Sequence, residues 1–182
     1  MADLTTLASV KAYLGISGSA DDALLSQLIS ACSGAVQSLL NRCIVSSAIE
    51  IWRDGRGGQA MTLPDYPVTE VFLLEIDGQA IPPSAGAGMP GYRFTDTKIV
   101  LDGYRFTAGI GNVHIDFTAG YDEVPADIAQ AVNELVAMRY KERDRIGHKS
   151  KSLAGETVAF ITAAMPESVK AALAPYAQMV PL

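Results

Sequence analysis

The groups able to do chemistry in this 182-residue chain are few and scattered. Its two histidines, His114 and His148, and its two cysteines, Cys32 and Cys43, have no metal-ligand spacing, and a zinc site needs several such groups converging. His114 and Asp116 alternate onto one strand face, the arrangement of a surface hydrogen-bonding pair. Neither histidine belongs to a serine- or cysteine-nucleophile motif. Residues Gly86 to Gly91 spell G-x-G-x-x-G, yet the dinucleotide fingerprint works only where that turn follows a strand and opens a helix. Here Pro82, Pro83 and Pro90 surround it and Tyr92-Arg93-Phe94 reads as strand, so a β-module loop is expected. The carboxylate pairs Asp21/Asp22 and Asp122/Glu123 fall at helix starts, where the helix dipole accounts for them. No enzyme, metal or cofactor is expected.

Two other patterns point to binding. Arg139, Lys141, Arg143, Arg145, Lys149 and Lys151 gather six of the chain's fourteen cations into thirteen residues, against Glu142 and Asp144. Such a run suits either a solvated helix end, where cations complement the dipole, or a local surface facing DNA phosphates. The second pattern is a shortage. Residues 23–41 carry no charge, and the polar positions between the apolar ones are Ser26, Gln27, Ser30, Ser33, Gln37 and Ser38. A solvated helix face normally holds Lys, Glu or Arg, which are better helix formers than Ser. Small uncharged polar groups can be buried against another helix without stranding charge. Helix two is therefore expected to be covered on both sides, either by the chain's own helices or by a neighbouring subunit, with Ser26, Gln27, Ser30, Ser33 and Gln37 as candidate subunit-interface residues.

The elements that position these groups follow from periodicity. Thr5 or Thr6 caps a first helix with the stripe Leu7, Val10 and Leu14, ended by Gly15. Ser19 to Asp22 opens the second, whose stripe is Leu24, Leu25, Leu28, Ile29, Cys32, Val36, Leu39 and Leu40, fading near Arg42. Cys32 and Cys43 in one helical stretch would stand about 16 Å apart along its axis, too far for a disulfide, so buried free thiols are expected. From Ala48 to Tyr121 the pattern changes to short alternating runs (Ile49, Ile51; Val71, Leu73; Ile99, Leu101; Val113, Ile115, Phe117) separated by Asp-Gly and Gly-Gly turns. That is an antiparallel β module inserted between helices, residues 48–121. Pro125 opens a third helix through Ile128, Val132, Leu135, Val136 and Tyr140 to about Ile146. A polar stretch leads to an extended arm, Thr157 to Thr162, and Pro166 opens a short last helix.

Composition sets limits. A chain 49% hydrophobic by class, with 14 Lys+Arg against 20 Asp+Glu and a net charge of −6, is neither a disordered tail nor a disulfide scaffold. Its acidity excludes a surface that is nucleic-acid footprint throughout. The N-terminus shows no secretory signal, and the helical spacing of polar residues in 23–41 argues against a membrane span.

The opening Leu4-Thr-Thr-Leu-Ala-Ser-Val-Lys-Ala-Tyr-Leu-Gly15, with Asp21-Asp22-Ala-Leu-Leu25 and Leu39-Leu40-Asn41-Arg42, resembles the start of phage head–tail connector proteins, the head-completion adaptors of tailed phages and prophages. Phe117-Thr-Ala-Gly-Tyr121, Val124-Pro125-Ala-Asp-Ile128-Ala-Gln-Ala131, Tyr140-Lys-Glu-Arg143 and Ile146-Gly147 resemble that family's strand, Gly-Tyr, Pro and helix signature. The resemblance implies an α+β protein: an antiparallel α-helical bundle of about four helices, residues 1–47 and 122–182, with an arm near 148–164 and the β insertion. It implies a homo-oligomeric ring, commonly twelvefold, at the head–tail junction of a virion. The implied partners are the portal protein on one side and a downstream connector or tail protein on the other, with double-stranded DNA passing through. The basic run would then be lumen- or DNA-facing, and Val158, Phe160 and Ile161 on the arm would add to a neighbouring subunit. The long β module departs from shorter family members. A small DNA-binding or packaging-associated module using residues 139–151 is the competing expectation.

Overall fold

The computed structural model describes residues 2–143, 150–153, 156–159 and 165–178. The chain is α+β, with four α-helices, a four-stranded and a three-stranded antiparallel sheet, and a two-stranded ribbon among the described residues. It divides into a helical unit, 1–40 with 124–177, and a β unit, 41–123 with 178–182.

In the helical unit α1 spans Leu7–Leu14, α2 Asp22–Leu40, α3 Ala126–Glu142 and α4 Glu167–Leu173. Thr6 starts α1: its side chain accepts a hydrogen bond from the Ser9 amide at 3.2 Å, satisfying a donor the helix cannot. Thr6→Ala is expected to cost about 1 kcal/mol of stability, readable as a lower denaturant midpoint for the full chain. The helix closes on Gly15 at φ 70°, as the sequence requires. Asn41 plays that part for α2, at φ 52°, and stops it before Arg42 and Cys43. Cys43 is consequently outside the helix and exposed, whereas Cys32 is buried, so only one of the two thiols meets the expectation. The third helix is the hub: α1, α2 and α4 each contact it. Its buried residues Ile128, Val132, Leu135 and Val136 are joined in burial by Leu25, Ile29, Cys32 and Val36 of α2. A polar clip adds direction, because Asn133 of α3 accepts from the Thr5 hydroxyl (2.7 Å) and donates to Ser9 Oγ (3.0 Å).

The β unit contains β1 Ser47–Gly55, β2 Ala60–Thr62, β3 Val68–Ile76, β4 Gln79–Ala80, β5 Gly91–Thr95, β6 Lys98–Asp102 and β7 Gly109–Ala119. The sheets run in the orders β1-β7-β3-β4 and β2-β6-β5. Their inner faces share one core, with Phe117, Ile115, Leu74 and Val71 from one sheet and Ile99, Leu101 and Tyr92 from the other. Tyr92 bridges them, donating its hydroxyl to the Val71 carbonyl at 3.0 Å. A β-bulge between Val71 and Leu73 shifts the strand's phase. Leu74 is thus buried, while Leu73, expected inside, lies opposite Asp116 on the outer face. Of the expected turns, Asp77-Gly78 makes the β3–β4 hairpin, both residues at positive φ as a type I′ turn demands. Asp54-Gly55 instead belongs to β1.

The expected 148–164 arm is described only in part. Strands β8 Ser150–Leu153 and β9 Glu156–Ala159 pair antiparallel, with Lys151 opposite Val158, so this portion is a paired ribbon rather than a single extended strand. Phe160 and Ile161 lie outside the described residues.

Candidate assembly interface

Helix α2 is long and apolar enough, by length and composition, to cross a membrane. In the fold its stripe Leu25, Ile29, Cys32, Val36 and Leu40 is buried. The uncharged polar residues divide into two sets. Ser33 and Gln37 are buried by the chain's own first residues: Ser33 Oγ accepts from the Leu4 amide (2.9 Å), and Gln37 Nε2 donates to the Ala2 carbonyl (2.8 Å). Intrachain contacts therefore account for these two. Ser26, Gln27 and Ser30 are exposed, and with Ala23, Ala31, Ser38 and the half-exposed Leu39 they form a solvent-facing strip without a single charge. The Ser26 hydroxyl turns back on the helix, donating to the Asp22 carbonyl at 2.8 Å.

The described part of the basic run lies at the end of α3 and in β8. Arg139 is half-buried in α3, near enough to Cys32 to hold down part of a thiol pKa that burial has raised. Arg143 lies over the Tyr140 ring at 4.0 Å and donates to the Tyr140 carbonyl. Lys141 is exposed. Arg145 and Lys149 lie outside the described residues, and Lys151 lies in β8. The Tyr140 hydroxyl donates to Asp21 at 2.6 Å, which with burial raises its pKa. Asp22 pairs with Lys11 at 2.7 Å. Both carboxylates at the α2 start thus tie neighbouring helices together as well as meeting the dipole.

A second cluster, on the outer face of the four-stranded sheet, was only half visible in the sequence. His114 of β7 bonds Glu50 through Nε2 (2.9 Å) and Glu75 through Nδ1 (3.3 Å), with Trp52 stacked on its ring at 4.2 Å between centroids. The expected partner Asp116 is two residues along the same strand, but the His114 ring nitrogens meet Glu50 and Glu75, which the cross-strand register supplies. Burial pulls the imidazole pKa down, but the bonds to Glu75 and Glu50 and their charges outweigh it, and the pKa is raised above 6.5. A raised folded-state pKa favours the folded imidazolium. The His114 contribution to stability should be fully present below about pH 6.5 and lost as pH rises through the raised value. Unfolding of the native chain and of His114→Gln across pH 5 to 9 (approximate limits) checks it: the difference between them should shrink toward alkaline pH.

Among the described residues no three His, Cys, Asp or Glu side chains gather as a metal site. Two clefts of the β unit are lined by residues such as Trp52, Arg53, Arg56, Asp77 and Arg105, with no histidine, cysteine or serine in either lining. No helix follows Gly86 to Gly91, which leads into β5; Ser84 Oγ caps this loop by donating to the Gly86 and Met89 carbonyls.

What the described surfaces offer is contact area. The sequence model of the head completion protein family matches residues 3–179. The chain belongs to the head completion protein family. Its fold is similar to chains in three solved particles. One is the neck of an empty gene transfer agent particle computed with C6 symmetry, at 25% identity and TM-score 0.63, covering 98% of this chain and 92% of that one. Another is the neck of the native particle computed with C12 symmetry, at 24% identity and TM-score 0.60, covering 97% and 90%. A third is the virion of the native gene transfer agent, at 25% identity and TM-score 0.60, covering 98% and 92%. No curated protein matches the chain.

Proposed function

We propose that this head completion protein is a structural head–tail adaptor whose copies close a ring, twelvefold in the assembled particle, beneath the portal. The carrying observation is the family match from residue 3 to residue 179, which takes in both the helical and the β unit. The likeness to chains of particle necks with sixfold and twelvefold symmetry supports the ring and its place at the head–tail junction. In this reading the segments 1–47 and 122–182 form an antiparallel helical bundle with an arm near 148–164, and 48–121 is its β insertion. The portal protein binds one side and the next connector or tail protein the other. The exposed strip of α2, with Ser26, Gln27 and Ser30, packs against the neighbouring protomer, because a strip without charges can lose water at little cost. Val158 of β9, with Phe160 and Ile161, adds to that contact. The cations of 139–151 face the channel, where a few local charges guide DNA while the −6 body avoids holding it.

The test is genetic. Deleting the gene should leave DNA-filled heads that carry no tails, and supplying the wild-type protein to such heads should restore tail joining. Normal tailed particles from the deletion would overturn the reading.

A further inference from the structure

We infer that the outer face of the four-stranded sheet, centred on Trp52, is a docking site for a basic, arginine- or lysine-bearing segment of a different protein. Trp52 is the chain's single tryptophan and is 62% exposed although it sits in the middle of a paired strand. His114 covers one side of its indole, parallel to within 4°, so the exposed area is the opposite side of the ring and its edge. An indole face attracts cations, and arginine most readily. Carboxylates lie beside it on the sheet face, while Arg53, Asp54 and Arg56 line a cleft with it. Glu50 lies two residues along β1 on the same face, Glu75 is in register with His114 from β3, and Asp116 lies directly opposite Glu50 on β7. Two carboxylates directly opposite one another across a strand pair repel, and a bound cation would relieve that. Glu50 and Glu75 both pair with His114. Leu73, opposite Asp116, completes an apolar centre with an acidic rim.

Charge decides what fits. Nucleic acid and anionic lipid are repelled, and in the proposed ring a second copy keeps its basic run, 139–151, toward the channel. A foreign basic segment is attracted, its guanidinium on the free indole face and its charge beside Glu50. The charged and titratable groups around this site are His114, Glu50, Glu75 and Asp116 on the sheet face, Arg53, Asp54 and Arg56 in the cleft that Trp52 also lines, and Glu70 farther along β3. Imidazolium can donate to Glu50 and Glu75 together; neutral imidazole can donate to only one. As pH rises through the His114 pKa one carboxylate is released, and cation binding should tighten. The site does not depend on ring formation, so a failed ring test would leave it standing.

The single tryptophan reports directly. The full chain is titrated with an eight-residue alternating Gly/Arg peptide while Trp52 emission is followed. A saturable change is expected, weaker below the His114 pKa, and absent with a Gly/Glu peptide. Glu50→Gln should weaken binding roughly five-fold and Trp52→Ala, read by calorimetry, roughly ten-fold, whereas Glu123→Gln, the same charge change elsewhere, should leave it intact. Circular dichroism confirms that each variant folds. An unresponsive Trp52, or equal losses in Glu123→Gln and Glu50→Gln, would overturn the proposal. So would an emission change on concentrating the protein alone, which would make the occupant a second copy.

Discussion

Gly120→Ala is expected to destabilise the β unit by about 2 to 4 kcal/mol, a large share of the stability of an ordinary domain. Two costs add. Gly120 has φ 113°, a region that residues with a Cβ rarely enter, and an added Cβ would stand 2.8 Å from the Val45 carbonyl and the Ser46 amide. Backbone cannot swing aside as a flexible side chain can. The close approach is itself structural: the Tyr121 amide donates to the Ile44 carbonyl and the Ser46 amide donates to the Tyr121 carbonyl, stitching the start of the β unit to its end. Nearby, the buried Arg42 lies on the Tyr66 ring at 3.7 Å and donates to the Tyr66 carbonyl, so a shift of this seam disturbs a buried cation as well. Thermal or denaturant unfolding measures the loss. Gly15→Ala is the comparison, since it keeps the positive φ but meets nothing within 4 Å, and it should cost less.

The second large effect separates assembly from folding. Ser30→Glu places a charge in the middle of the exposed strip of α2, where glutamate is a better helix former than serine. The isolated chain should unfold within about 0.5 kcal/mol of wild type. In a ring that strip is covered, and an uncompensated buried charge costs about 3 kcal/mol or more at every protomer contact, enough to weaken each contact more than a hundred-fold. Sedimentation of assembled material should show the ring lost while the circular dichroism spectrum is kept. Ser33→Glu should behave differently. Ser33 is 1% exposed and accepts the Leu4 amide, so a charge there should destabilise the chain itself.

That contrast shows what the sequence made legible. The apolar stripe of α2, the Thr6 cap, the Gly15 stop and the inward positions of β7 are local, repeating signals, and they lie where their period placed them, except that Leu39 of the stripe is exposed. Which side of α2 the chain itself covers is a long-range matter. Ser26 and Ser33 look alike in a one-dimensional pattern, and only the return of the N-terminal segment over Ser33 and Gln37 tells them apart. The same limit explains His114. Alternation correctly turned it outward, but its partners Glu50 and Glu75 come from strands 64 and 39 residues away. The Leu73 error has another origin: a bulge inserts one residue, and strict period-two counting fails beyond it. Trp52 could have been found, since it alternates with the inward Ile49 and Ile51 and must therefore face out.

The most direct measurement is to mix the chain with its cognate portal protein and image the product by electron microscopy. A head–tail adaptor gives a closed ring stacked coaxially on the portal, with the α2 strips between neighbouring protomers and an open channel on the axis. Persistent failure to form any portal complex, under conditions where the portal itself is intact, would contradict the adaptor reading.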